Sequence, residues 1–149
     1  MTLDSALLLV QAAATAYLTG LAWFVQVVHY PLLHAVPLSE LPAYEARDQR
    51  RTSWVVGPPM VLELVTAVGS LRWRPPELSA PWAWTGLTLL GLVWASTAFV
   101  QVPLHEALER QPEAARIRLL TTSNWVRTLC WTARAGVLGW ALVHLIGQG

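Results

Sequence analysis

The stretch Ser5–Val28, SALLLVQAAATAYLTGLAWFVQVV, decides the fold, because it holds no charged side chain from end to end. As a helix it reaches about 36 Å at 1.5 Å per residue, more than the ~30 Å hydrocarbon core of a bilayer. Working outward, three further stretches have the same character. Thr52–Leu71 carries only Glu63; Leu78–Leu104 is uncharged, with the span proper starting near Trp84; and Ser123 to Ile146 is interrupted by Arg127, Arg134 and His144. Lipid offers no partner to unpaired backbone groups, so helices are the economical way across.

Composition agrees. Hydrophobic residues make up 54% of the 149, charged residues 13%, there is no lysine, and mean hydropathy is +0.43. Ordinary globular domains carry about 25% charged residues. A net charge of +1 gives no basic face for nucleic acid. One cysteine, Cys130, excludes an internal disulfide framework and a multi-cysteine zinc site. The expectation is an all-α, four-helix transmembrane bundle forming a single integral domain over residues 1–149, with spans near 5–30, 52–71, 84–105 and 123–146. Ser5–Val28 lacks a basic leader and is too long for the apolar region of a cleavable signal peptide.

The connection Arg72–Pro81 is short and holds Pro75-Pro76, which makes the second and third spans antiparallel neighbours. Pro31–Arg51 and Glu106–Thr122 are longer and charged, and each has room for an amphipathic helix lying at the interface. Trp73, Trp82 and Trp84 mark one membrane surface, Trp54 and Trp125 the other. Arg47, Arg50, Arg51, Arg110, Arg116 and Arg118 crowd the long connections, against Arg72 and Arg74 on the short one. The positive-inside rule then places the long connections in the cytoplasm and both termini outside a cell membrane crossed four times.

Sliding the chain against itself by 71 residues exposes an internal repeat. Gly20-Leu21-Ala22-Trp23 meets Gly91-Leu92-Val93-Trp94, Leu33-His34 meets Leu104-His105, and Trp54-Val55 meets Trp125-Val126, among twelve identities between residues 12 and 71. Phe24-Val25-Gln26-Val27 matches Phe99-Val100-Gln101-Val102 at a shift of 75, one helical turn more. The reading is two tandem helix hairpins related by an axis along the membrane normal.

Ionisable residues inside spans cost about 2.5–3.5 kcal/mol each at the helix centre and tend to face a bundle interior. The repeat sets Glu63 opposite Arg134. Each lies nine residues past its tryptophan, roughly 13 Å below one surface, which suggests an ion pair across the bundle. Polar residues also recur at helical period: Asn124, Arg127, Trp131 and Arg134 on the fourth span; Thr19, Trp23, Gln26, His29 and Tyr30 on the first; Trp94, Thr97, Gln101 and His105 on the third. With up-down-up-down topology these stripes converge on a polar pocket at the long-connection end. Pro58-Pro59 inside the second span frees carbonyls near Trp54 and Val55, which only protein or cavity water can satisfy.

The chemistry such a pocket offers is less determined. His29, His34 and His105, with Glu45, Asp48 and Glu106, supply imidazole and carboxylate ligands; the metal set favoured is His29, His105 and Glu45, without a close-spaced His motif on any span. No nucleophilic triad, glycine-rich phosphate loop or dinucleotide fingerprint is visible. Cys130 reads as a small core residue.

At Gln26-x-x-His29-Tyr30-Pro31, Pro58-Pro59-Met60-x-Leu62-Glu63-Leu64, Gln101-Val102-Pro103-x-His105 and Asn124-Trp125-x-Arg127-Thr128-x-x-Trp131-x-x-Arg134 the chain resembles a family of small bacterial four-helix membrane proteins. That likeness implies the fold and the polar positions. More remotely, size and layout are similar to anthrone-oxygenase-like membrane proteins, which implies oxidation of a lipophilic aromatic substrate; the motifs do not match position by position, so no catalytic residue carries over. The leading expectation is a membrane-embedded oxidoreductase acting on a lipophilic small molecule. His29, His105, Glu63 and Arg134 are its candidate catalytic residues, and Gln26, Tyr30, Gln101, Asn124, Arg127 and Trp131 its candidate binding residues. A proton-linked transport or relay protein using Glu63 and Arg134, and a structural subunit of a membrane complex, are the alternatives. Expected partners are the bilayer, a lipophilic small molecule and, in a homo-oligomer, further copies of the chain.

Overall fold

The computed structural model describes residues 2–147. Four long helices account for nearly all of them: α1 Leu3–Leu33, α2 Leu41–Arg72, α3 Ala80–Arg110 and α4 Ala114–Gly147. All four are long and apolar enough to cross a membrane, and no strand occurs among the described residues. Helix α1 packs on α2 and α4, α3 packs on α4, and α2 also meets α3, so the four close into a ring in chain order.

The long connections contain no separate interfacial helices. Residues 41–51 are the first turns of α2, and 114–122 the first turns of α4. The charged side chains there end a run of high hydropathy, but Arg, Glu, Gln and Ala are good helix formers, so the helix itself continues through them. The loops that remain are 34–40, 73–79 and 111–113. In α2 the distance from Trp54 to Trp73 is about 28 Å at 1.5 Å per residue, close to a bilayer core. The rest of α2, from Leu41, projects beyond Trp54 and carries Glu45, Asp48 and three arginines.

The bundle is apolar outside and polar within. Phe99 is 81% exposed, Val143 68% and Val65 62%, whereas Gln11, Thr15, Glu63, Ser70, Asn124 and Arg134 are buried. A water-soluble bundle would have the reverse arrangement, since contiguous exposed apolar surface of this extent marks contact with something other than water.

Both halves share an irregularity. Helix α1 widens into a π turn at Val25–His29 and α3 does the same at Thr97–Gln101. Each is followed two residues later by proline, Pro31 and Pro103. A proline ring clashes with the carbonyl four residues back and brings no N–H; an inserted π turn relieves that clash while the helix continues. Pro58 and Pro59 lie inside α2 without interrupting it.

Candidate functional site

Two polar assemblies occupy the interior, stacked along the bundle axis. The deeper one centres on Arg134. Its Nε donates to Glu63 Oε1 at 2.9 Å, Nη1 to the Gly86 carbonyl at 2.5 Å and Nη2 to Gln11 Oε1 at 2.6 Å. Glu63 also accepts from the Thr15 hydroxyl and, through Oε2, from Trp131 Nε1 at 3.1 Å. Gln11 Nε2 continues the chain to Ser70 Oγ at 3.3 Å. All four helices contribute, and every polar atom of Glu63 and Arg134 has a partner.

The repeat explains this geometry. Thr15 and Gly86, like Glu63 and Arg134, are 71 residues apart. Thr15 of α1 touches Glu63 of α2, and Gly86 of α3 touches Arg134 of α4. A guanidinium is longer than a carboxylate, and the glycine makes the room: a Cβ on Gly86 would lie 2.8 Å from Arg134 Nη1.

The second assembly sits toward the end where α2 projects past Trp54. Here a cavity of about 270 Å³ opens between the helices. Its apolar wall includes Leu18, Leu21, Phe24, Val25, Val55 and Val56 of α1 and α2; its polar wall is formed by His29, Tyr30, Asp48, Arg51, Thr52, His105, Asn124 and Arg127. Phe24 and Val55 are themselves exposed on the outside of the bundle, so the cavity reaches the apolar surface between α1 and α2.

Two His–carboxylate pairs line its polar end. His105 Nδ1 lies 2.7 Å from Glu45 Oε2, and His29 Nε2 lies 3.4 Å from Asp48 Oδ2. A carboxylate only accepts, so Nδ1 is the donor in the His105–Glu45 pair, and the other ring nitrogen is Nε2. That nitrogen faces the Tyr30 hydroxyl at 3.3 Å, while the same hydroxyl is 3.1 Å from Gln101 Oε1. Gln101 in turn donates to Ser123 Oγ at 2.9 Å. On the opposite side Asn124 Nδ2 donates to Gln26 Oε1 at 3.0 Å, and Gln26 Nε2 to the Thr121 carbonyl at 3.1 Å.

Arg127 Nη1 donates to Asn124 Oδ1 at 3.3 Å, and the guanidinium lies 5.1 Å from the centre of the Trp131 ring. Its Nε is buried with no acceptor. Among the described residues no carboxylate comes within 4.0 Å of it. A buried cation without a counter-charge is expensive unless something anionic or strongly accepting completes it.

The expected site residues therefore divide. His29, His105, Tyr30, Asn124, Arg127 and Trp131 line the cavity; Gln26 and Gln101 hydrogen-bond to lining residues from behind. Glu63 and Arg134 do not line it and are separated from it by Trp131, whose ring borders the cavity while its N–H reaches Glu63. Of the expected metal set, Glu45 and His105 come together. Asp48 joins them, with donor atoms of all three within 4.8 Å of one another, and His29 stands behind Asp48. His34 turns instead to Thr121, and Glu106 to Arg110. Trp23, expected on an inward stripe, lies at the surface edge-on to Trp125. Gln11, Thr15 and Gly86 escaped sequence reasoning, although the shift of 71 already paired the last two.

No family model matches the chain, and neither a curated protein nor a solved structure does.

Proposed function

We propose that the chain is a multi-pass protein of the cell membrane and an oxidoreductase-type enzyme that acts on a lipophilic small molecule bearing an acidic oxygen. One observation carries this reading: Arg127, set in the wall of a half-apolar cavity, has a buried Nε without acceptor or counter-ion. The opening between α1 and α2 suits entry from the acyl-chain region, and the apolar wall suits a ring system. Arg127 and Asn124 would receive the oxygen. The His105 Nε2 and Tyr30 hydroxyl would take and return a proton next to it, held by Glu45 and Gln101.

For an enolisable aromatic ketone such as anthrone, the chemistry balances with O2 as the only co-reactant. A base removes a ring-carbon proton, and the electron pair moves onto the oxygen at Arg127. The resulting enolate is then oxidised by O2, one oxygen atom becoming the second ketone and the other leaving as water. Burial of the enolate against a fixed cation is the contribution expected of the protein.

The Glu63–Arg134 network favours a structural role for that pair over a proton relay, since every nitrogen and oxygen of the two groups is already engaged with a partner. The test of the enzyme reading is anthrone conversion by the purified full chain in detergent, followed by O2 uptake and anthraquinone absorbance. The expected result is a rate above protein-free micelles that falls at least 10-fold in Arg127→Gln. Wild-type protein no faster than empty micelles overturns the oxidoreductase assignment.

A further inference from the structure

We propose that Glu45, Asp48 and His105 form a binding site for a divalent first-row transition-metal ion, with His29 holding Asp48 from outside. The inference rests on the cavity described above and gives its polar end a resident cation. It concerns different atoms from the Arg127 site.

Three observations converge. Donor atoms of Glu45, Asp48 and His105 all lie within 4.8 Å of one another. Metal–oxygen and metal–nitrogen bonds of about 2.0–2.2 Å put donors on opposite sides of an ion roughly 4.2 Å apart, so small side-chain rotations close the set. Second, Glu45 is fully buried and its Oε1 has no hydrogen-bond partner. Its other oxygen meets only His105, and no arginine comes within 4.0 Å of Glu45 or Asp48. Two carboxylates one helical turn apart, one of them completely inside the protein, thus lie together with two imidazoles and, on Asp48, the Thr52 hydroxyl at 3.5 Å as their neighbours. A fully buried carboxylate with a free oxygen beside a second, half-buried one suits a cation.

Third, an ion at this position is compatible with the hydrogen-bond directions around His105. With the proton on His105 Nδ1, the single hydrogen of the Tyr30 hydroxyl must serve either His105 Nε2 or Gln101 Oε1, although both lie within 3.3 Å. An ion taking the place of the proton shared by His105 and Glu45 leaves the remaining imidazole hydrogen on Nε2. Nε2 then donates to Tyr30, Tyr30 donates to Gln101, and Gln101 donates to Ser123. Every member of the row is satisfied in one direction, as in the oriented outer shells of metal-bound histidines.

The donor set names the class of ion. One imidazole with two carboxylates is too rich in nitrogen for calcium or magnesium and lacks the thiolates of a structural zinc site. It suits manganese, iron, cobalt or zinc in the divalent state. Asp48 and His105 both line the cavity, so the ion would border the space assigned to the lipophilic ligand.

Cobalt is the probe. The full chain in detergent, stripped with chelator and titrated with Co2+, is expected to bind one ion per chain with visible d–d absorption, and Zn2+ is expected to displace it. Glu45→Gln with Asp48→Asn should weaken binding at least 100-fold, and His29→Ala by 10–100-fold as an outer-shell change. Arg127→Gln should leave it unaltered. X-ray absorption on the loaded wild type should show only nitrogen and oxygen neighbours, including imidazole, and this readout stands even if the double variant does not fold. Monodisperse, helical wild type that binds no cobalt, binding unchanged in the double variant, or a sulfur neighbour each overturn the proposal. Cobalt binding with no anthrone turnover leaves the metal site standing and removes the enzyme reading; anthrone turnover by protein that binds no cobalt does the opposite.

Discussion

Glu63 and Arg134 occupy the same position in the two halves of the chain, and they touch. Residues related by a two-fold axis meet only on that axis, so the 2.9 Å contact from Arg134 Nε to Glu63 Oε1 locates the pseudo-symmetry axis of the bundle. The chain has placed opposite charges at two equivalent sites and then adjusted the neighbours, threonine beside the shorter acid and glycine beside the longer base.

Breaking this contact from one side should be severe. Glu63→Ala leaves a buried guanidinium with two neutral acceptors, and removal of one member of a buried pair typically costs about 3–5 kcal/mol. The double variant Glu63→Gln/Arg134→Met should lose less than the sum of the two single changes. Reversible unfolding in mixed micelles, analysed as a double-mutant cycle, checks this; additive losses would show that the pair acts independently.

A side chain at Gly86 should be destabilising while Arg134 is present, because the guanidinium must shift from its hydrogen bonds. Gly86→Ala brings a methyl group to 2.8 Å from Nη1, and overpacking of this kind costs about 1–3 kcal/mol. In an Arg134→Met background the penalty should largely vanish. Gly136, with open space around its Cβ position, provides the contrast: alanine there should stabilise the helix by up to about 1 kcal/mol. Thermal melts of the four variants decide between them.

Trp131 joins the two polar assemblies. Trp131→Phe removes the donor to Glu63 Oε2 and leaves a buried carboxylate oxygen unpaired, at about 1–3 kcal/mol. The aromatic face beneath Arg127 is retained. Stability should therefore fall while anthrone turnover drops less than in Arg127→Gln, a split visible by running melts and turnover on the same preparations.

The prolines after the π turns should control the site. Pro103→Ala removes the clash that the π turn at Thr97–Gln101 accommodates. Return to a plain α-helix would rotate His105 by about 100° relative to the preceding helix, away from Glu45. Cobalt affinity should fall at least 10-fold with helix content unchanged by circular dichroism; unaltered affinity would show that the π turn persists without the proline.

Much of this architecture can be read from residue order, for identifiable reasons. Lipid-facing helices announce themselves by uninterrupted apolar length, and Trp54 and Trp125 serve as depth gauges that bring Glu63 level with Arg134. Other partners leave no such mark. A glycine carbonyl such as that of Gly86 and a neutral amide such as Gln11 look like any other glycine or glutamine until a guanidinium points at them. By hydropathy Glu45 and Asp48 fall in a connection because charge ends a hydropathy run, although it does not end a helix. Their meeting with His105 and His29 depends on how three helices are rotated, and each π turn changes that rotation within its helix. The prolines at 31 and 103 are the only trace of those turns in the sequence.

The unlike charges at the axis also fix which hairpins can associate. A first-half hairpin facing a copy of itself would set two carboxylates against each other, and a second-half hairpin two guanidiniums. Expressed as separate polypeptides, the halves should therefore disfavour their own kind and assemble with each other.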